Sequence, residues 1–198
     1  MRKEEVEAVL TKVLDIVLAT APEVDFRLVG TASSVLRGID LPAGDIDILL
    51  REQRGVDLFG EALASAPGIR CRTAPTHLLD AGQYFAEYDV DGSRVELSTM
   101  DGDWAADLDS IECLGKGLWQ HFDRLVVGRY EVPVVATELR LLTELGRERP
   151  DRYRPILWAM TAGSNDSALL NRGLERLEIP TDRRAEILAN LTAGNRRA

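Results

Sequence analysis

Two aspartates separated by one apolar residue, Asp45-Ile46-Asp47, followed by Ile48, are the residues in this chain best arranged for chemistry. In a strand, residues i and i+2 share a face, with Cα atoms about 6.6 Å apart. Asp45 and Asp47 then project from one face while Ile46 and Ile48 enter the core. Adjacent carboxylates repel, and a cation between them removes that cost. Carboxylate oxygens are hard ligands that suit magnesium, which takes one or two and completes its shell with water and substrate phosphate. The same short pattern also fits a strand end with a solvated acidic face.

Two further groups flank the pair. Upstream, Leu28-Val29-Gly30-Thr31 reads as strand, glycine, hydroxyl and then helix. The glycine permits close backbone approach, and a helix start offers free amides to an anion. The Thr31 hydroxyl can donate to a phosphate oxygen; equally, Gly30 makes a tight turn and Thr31 caps a helix. Downstream, Val95-Glu96-Leu97 sets an acid between apolar residues on a strand. Such an acid needs a cation, a partner or water. A solvated edge, or pairing with Arg94 or Arg70, would also meet that need.

In this order the three pieces resemble the signature of the DNA polymerase beta-type nucleotidyltransferase superfamily. Apolar-Gly-Ser/Thr stands here as Val29-Gly30-Thr31, acid-apolar-acid as Asp45-Ile46-Asp47, and apolar-acid-apolar as Val95-Glu96-Leu97. The resemblance covers residues 25–100, and the helical end more loosely resembles the tails of minimal, antibiotic-modifying and toxin-type members. It implies an α/β (α+β) fold: a mixed β-sheet nucleotidyltransferase core flanked by helices, with a C-terminal helical region. It also implies a transferase that moves a nucleoside monophosphate from a nucleoside triphosphate such as ATP to a hydroxyl acceptor, releasing pyrophosphate. Two Mg2+ ions would be held by the carboxylates, one activating the acceptor oxygen and one holding the triphosphate. By resemblance, Asp45 and Asp47 bind both ions, and Glu96 binds the ion next to the acceptor and helps take its proton. Gly30 and Thr31 hold the β and γ phosphates. Threonine stands for the commoner serine, a mild change. Glutamate stands where many members have aspartate, and its longer reach alters the metal geometry.

Ser33 and Ser34 fall in the first turn after Gly30, and Arg37 a turn or two beyond. Ser34 and Arg37 are candidate nucleotide contacts, against ordinary roles as a helix-start residue and a surface ion pair. His77 and His121 are the only histidines and lie outside the signature. Asp89 is placed near Glu96 across a hairpin, as an extra base or a solvated acid. The stretch from Arg147 to Arg154 holds four arginines, interleaved with Glu148 and Asp151. It suits a triphosphate, an RNA acceptor or an exposed charge network. Trp119, Trp158 and Tyr153 suit base stacking or the core.

The elements that must position these groups follow from periodicity. Val6, Val9, Leu10, Val13, Ile16 and Val17 predict an amphipathic helix over 3–20. Strands are predicted at 26–29, 45–50, 69–73, 84–90 and 94–99, with helices at 31–37 and 56–66. Asp91-Gly92 predicts a type I′ hairpin turn. Trp104 and Leu108 suggest a short helix, and 125–127 with 132–135 a peripheral hairpin. Helices are predicted over 137–148, 152–162, 166–177 and 182–192, the last two capped by Asn165-Asp166 and Thr181-Asp182. The division expected is a core domain over 1–135 and a helical domain over 136–198.

Composition narrows the partners. The formal net charge of −9 disfavours general nucleic-acid binding and favours a small hydroxylated acceptor, such as an aminoglycoside- or lincosamide-like compound. A toxin-type activity on tRNA or protein, and a catalytically inactive nucleotide-binding module, are the alternatives. Two cysteines, Cys71 and Cys113, are too few for a disulfide framework or zinc site. No apolar run approaches the roughly 20 residues of a membrane span, and the acidic N-terminal stretch does not read as a secretion signal. A cytoplasmic monomer or homodimer is expected.

Overall fold

The computed structural model describes residues 1–78, 82–100, 117–163 and 165–194. The short helix suggested by Trp104 and Leu108 lies outside them. Helix α1 (Lys3–Thr20) buries Val6, Val9, Leu10, Val13, Leu14 and Val17, one apolar stripe at helical spacing. Strand β1 (Phe26–Val29) leads directly into α2 (Gly30–Leu36). The N-cap of α2 is Val29, so Thr31 lies inside the first turn and is not the cap. Strand β2 (Asp45–Leu50), α3 (Gln53–Ser65), β3 (Ile69–Leu78), β4 (Gln83–Val90) and β5 (Ser93–Met100) follow. Then come α4 (Gly117–Gln120), β6 (Phe122–Val127), β7 (Tyr130–Val135), α5 (Thr137–Gly146), α6 (Pro150–Met160), α7 (Ser167–Arg176) and α8 (Thr181–Gly194).

All seven strands form one mixed sheet, ordered β3-β4-β5-β2-β1-β7-β6. The β6–β7 hairpin is therefore not peripheral as a unit. Strand β7 runs parallel to β1, with Leu28 opposite Val134, and of the hairpin's two strands β6 alone is an edge. Strand β3 reaches Leu78, beyond the predicted Thr73, because pairing with β4 carries it through irregular register at Cys71–Thr76. Asp91 and Gly92 have φ of 53° and 82°, both positive as a type I′ turn requires.

Two register facts position the polar groups. Strand β2 lies parallel to β5, with Asp47 opposite Glu96 and Asp45 opposite Arg94. Strand β4 lies antiparallel to β5, with Glu87 opposite Glu96 and Asp89 opposite Arg94. Alternation sends Ile46, Ile48, Val95, Leu97, Ala86 and Tyr88 into the core, where all are buried. Helix α3 packs on this apolar side. A Cβ at Gly60 would press on the Tyr88 hydroxyl, 2.8 Å away. The opposite face carries the two polar rows.

Helices α5–α8 pack on one another, and α5 also touches α2. Arg140 and Glu144 form a buried ion pair one turn apart on α5. The Asp166 carboxylate caps α7, accepting from the amides of Ala168 at 3.0 Å and Leu169 at 2.9 Å. Asp166→Ala is expected to lower stability by about 1 kcal/mol, read as a fall in the urea midpoint at unchanged m-value.

Candidate active site

The β2–β5 pairing brings Asp45, Asp47 and Glu96 together, each half-buried, with ligand oxygens all within 4.8 Å of one another. Gly30 closes one side. Its φ is +66°, which side chains rarely adopt, and a Cβ there would overlap the Asp47 carboxylate. The end of β1 and the tip of β2 can approach this closely only because residue 30 has no side chain.

Positive charge comes from Arg94. Its guanidinium is hydrogen-bonded to Asp45, and its Nε lies 3.3 Å from Glu96 Oε1. Asp45 in turn raises the pKa of Arg94. Burial, and then repulsion from Asp45, push the Glu96 pKa above 4.5; Arg94 opposes this and Glu87 adds to it. The acid across the hairpin from Glu96 is thus Glu87. Asp89, the residue expected there, sits one row away. It accepts from Arg70 at 3.0 Å, Arg72 at 3.2 Å and the Gly92 amide at 2.9 Å. Those bonds, Arg70 first, hold its pKa below the ordinary value. Arg70 therefore pairs with Asp89 and not with Glu96. The two-residue turn at Asp91-Gly92 was the signal for this, since counting outward from it matches Glu87 to Glu96.

The remaining candidates are distributed differently. Thr31 Oγ1 accepts from Arg152 at 2.6 Å. Ser33 Oγ donates to the Gly30 carbonyl at 2.7 Å, bracing the turn. Ser34 is buried, and its Oγ has no hydrogen-bond partner among the described residues. Arg37 stands at the far end of α2 and is bound to Asp123 at 2.7 Å, the Val135 carbonyl at 2.7 Å and the Ser33 carbonyl at 3.1 Å. These bonds tie α2 to the β6–β7 hairpin. His77 packs at a tilt of 55° on Tyr84 with ring centroids 4.8 Å apart, and the amide of His121 extends the short α4 by bonding to the Gly117 carbonyl. Trp119 is buried beneath the Arg27 guanidinium, 4.7 Å from its ring centroid, whereas Trp158 is 79% exposed. Tyr153 accepts from Arg183 at 3.2 Å. In the arginine-rich stretch, Arg147 and Arg149 turn to Glu144.

The seven-stranded mixed sheet with its flanking helices is a nucleotidyltransferase-type fold. A candidate nucleotidyltransferase from Thermotoga maritima superposes with a TM-score of 0.53 at 17% identity, covering 81% of this chain and 95% of that one. An antigenic nucleotidyltransferase-like protein from Paracoccidioides brasiliensis also gives 0.53, at 16% identity, covering 98% and 94%. The antibiotic-resistance factor ANT(2'')-Ia reaches 0.45 at 16% identity, covering 96% and 93%. Identities this low establish shared fold alone, and the first two structures carry that assignment. No family model and no curated protein matches the sequence.

The site generates two predictions. Gly30→Ala is expected to cost about 1–2 kcal/mol from the left-handed backbone alone, measured by denaturant unfolding. By displacing Asp47 it should also weaken Mn2+ binding roughly tenfold or more, measured by paramagnetic titration. Glu96 has a raised native pKa, so its protonated form stabilises the fold. That contribution is fully present below the unfolded value and is lost as pH rises through the native pKa. Glu96→Gln should therefore be more stable than the parent at pH 7 and gain less on acidification, in urea titrations at a series of pH values.

Proposed function

We propose that this chain is a nucleotidyltransferase that moves a nucleoside monophosphate from a nucleoside triphosphate to a hydroxyl group on a small molecule. The observation that carries the reading is the convergence of Asp45, Asp47 and Glu96 beside the Gly30-Thr31 turn. Three hard oxygen donors within one ion's reach fit a divalent metal such as Mg2+, two ions in the full reading. When bound, such ions would supply the charge that activates the acceptor oxygen and steadies the departing pyrophosphate.

The chain's own groups would do the rest. Asp45 and Asp47 orient the reacting phosphate from one strand. Glu96, less acidic than an ordinary glutamate, stands to take the acceptor's proton. Gly30 and Thr31 hold the phosphates that leave. Ser34 and Arg37 are not needed in this arrangement, since burial and three structural bonds respectively account for them. In this reading residues 1–135 are the nucleotidyltransferase core that holds the reacting groups, and 136–198 are a C-terminal helical domain.

A small acceptor is supported by the net charge of −9 and by the internal commitments of the arginine-rich stretch. Within that stretch Arg147 and Arg149 lie 3.8 Å from Glu144 and Arg152 bonds to Thr31, so part of its charge is engaged inside the chain. No described helix is long and apolar enough to cross a membrane.

One observation favours a second reading, a non-catalytic nucleotide-binding module: Arg94 already bridges Asp45 and Glu96. Turnover separates the two. Incubation with each labelled nucleoside triphosphate, Mg2+ and a panel of aminoglycoside- and lincosamide-like acceptors should release pyrophosphate. Asp45→Asn with Asp47→Asn should lower the rate roughly a thousandfold, the several kcal/mol expected of charge stabilisation at a phosphoryl centre. Triphosphate binding without release would favour the module, and release undiminished in the double variant would sink the enzyme reading.

A further inference from the structure

Arg94 stands between two sets of acids. On one side β2 places Asp45 directly opposite it, and Glu96 follows two residues along its own strand. On the other side β4 places Asp89 opposite it and Glu87 one row further on. Among the described residues its ion pairs all go to the first set, to Asp45 and Glu96. Asp45, through its hydrogen bond, is the main group stabilising the Arg94 charge, and Glu96 and Glu87 contribute after it.

The β4 acids are served from β3 instead, and unequally. Asp89 accepts from Arg70, Arg72 and the Gly92 amide. Glu87 has a single long bond among the described residues, from Arg72 Nη1 at 3.4 Å. A carboxylate offers about four acceptor positions, so Glu87 has room for a second arginine. The Arg94 side chain is 43% exposed and free to turn about its stem. Its present seat, however, is on two of the three carboxylates that lie within one ion's reach. A guanidinium and a divalent ion repel each other and want the same oxygens.

We propose that Arg94 sets the metal affinity of this site as a tethered counter-ion, holding Asp45 and Glu96 when no ion is present and crossing β5 to Glu87 when a divalent ion takes its place. This rests on the metal-binding reading of the three carboxylates. The guanidinium stays charged in both positions, and only its partners change. Glu87 then acts on the metal without touching it, as the positioning residue that receives the displaced arginine. A monovalent ion brings no more charge than the arginine already supplies, so the exchange favours divalent ions.

Paramagnetic titration of the full chain with Mn2+ alone tests this. Arg94→Met, which keeps the bulk and removes the charge, should tighten Mn2+ binding about tenfold. Glu87→Gln should weaken it about threefold in the parent and by much less when Arg94→Met is also present, because its effect runs through the arginine. In urea titrations Arg94→Met should be less stable than the parent without metal and should lose that deficit in saturating Mn2+. Unchanged or weaker Mn2+ binding in Arg94→Met overturns the proposal and leaves the carboxylate reading standing. An equal effect of Glu87→Gln in both backgrounds also overturns it, since Glu87 would then act by its own charge. A stability deficit that persists in Mn2+ overturns it too, as the mark of a purely structural residue. Should Arg94→Met fail to fold, Arg94→Lys decides: its shorter reach should tighten Mn2+ binding about two- to threefold, and affinity no higher than the parent's overturns the proposal. If neither the parent nor a folded Arg94→Met binds Mn2+, the nucleotidyl-transfer reading itself fails, and this inference with it.

Discussion

Three carboxylates crowded to within 4.8 Å must be balanced by positive charge, and much of the surrounding structure follows from how that is done. Each like-charged pair at such a distance costs about 1–4 kcal/mol, depending on local screening. Two rows of side chains cross the polar face of the sheet. One row, Asp45–Arg94–Asp89, alternates in sign; the next, Asp47–Glu96–Glu87, is acidic throughout. Arg94 leans from the first row towards Glu96, and Arg72 reaches Glu87 from β3 at 3.4 Å. Glu96 and Glu87 of the acidic row are thus paired with arginines from outside it. A divalent ion placed among the three carboxylates would compete with Arg94 for both Asp45 and Glu96.

That balance holds only in one register. A slip of one residue between β2 and β5 would drive the acids into the core and bring Ile46, Ile48, Val95 and Leu97 into water. The apolar side therefore sets the alignment of the polar side. Gly30 adds a second constraint, since the space against the Asp47 carboxylate is closed to any side chain at that point.

Much of the fold was legible because it was written in short-range patterns. Alternation marked β2 and β5, the Asp-Gly pair marked their hairpin neighbour, and helical spacing marked α1. Asp166 announced the start of α7. What was not legible depended on distant partners. The polar, threonine-containing end of β3 has no apolar period and is a strand because β4 pairs with it. Strand β7 looks like half of an isolated hairpin until β1 is placed beside it. In the candidate site, the three acids and the glycine stood out by type and spacing. The bond from Arg152 to Thr31 did not, because no local pattern distinguishes Arg152 from the three arginines around it. Arg37 was misleading for the same reason: its bonds to Asp123 and Val135 span about half the chain.

The parallel pairing of β1 with β7 also bears on how the chain is made. Leu28 finds Val134 only after everything between them has been synthesised. Until then β1 has β2 on one side and an unsatisfied backbone edge on the other. Such an edge is a template for pairing with other chains. Closing so long a loop is slow compared with forming the hairpin at Asp91-Gly92. On the ribosome, the nascent protein therefore carries its acidic strand pair before it can shield the centre of its own sheet. The interval between the emergence of β5 and that of β7 is when aggregation competes most strongly with folding.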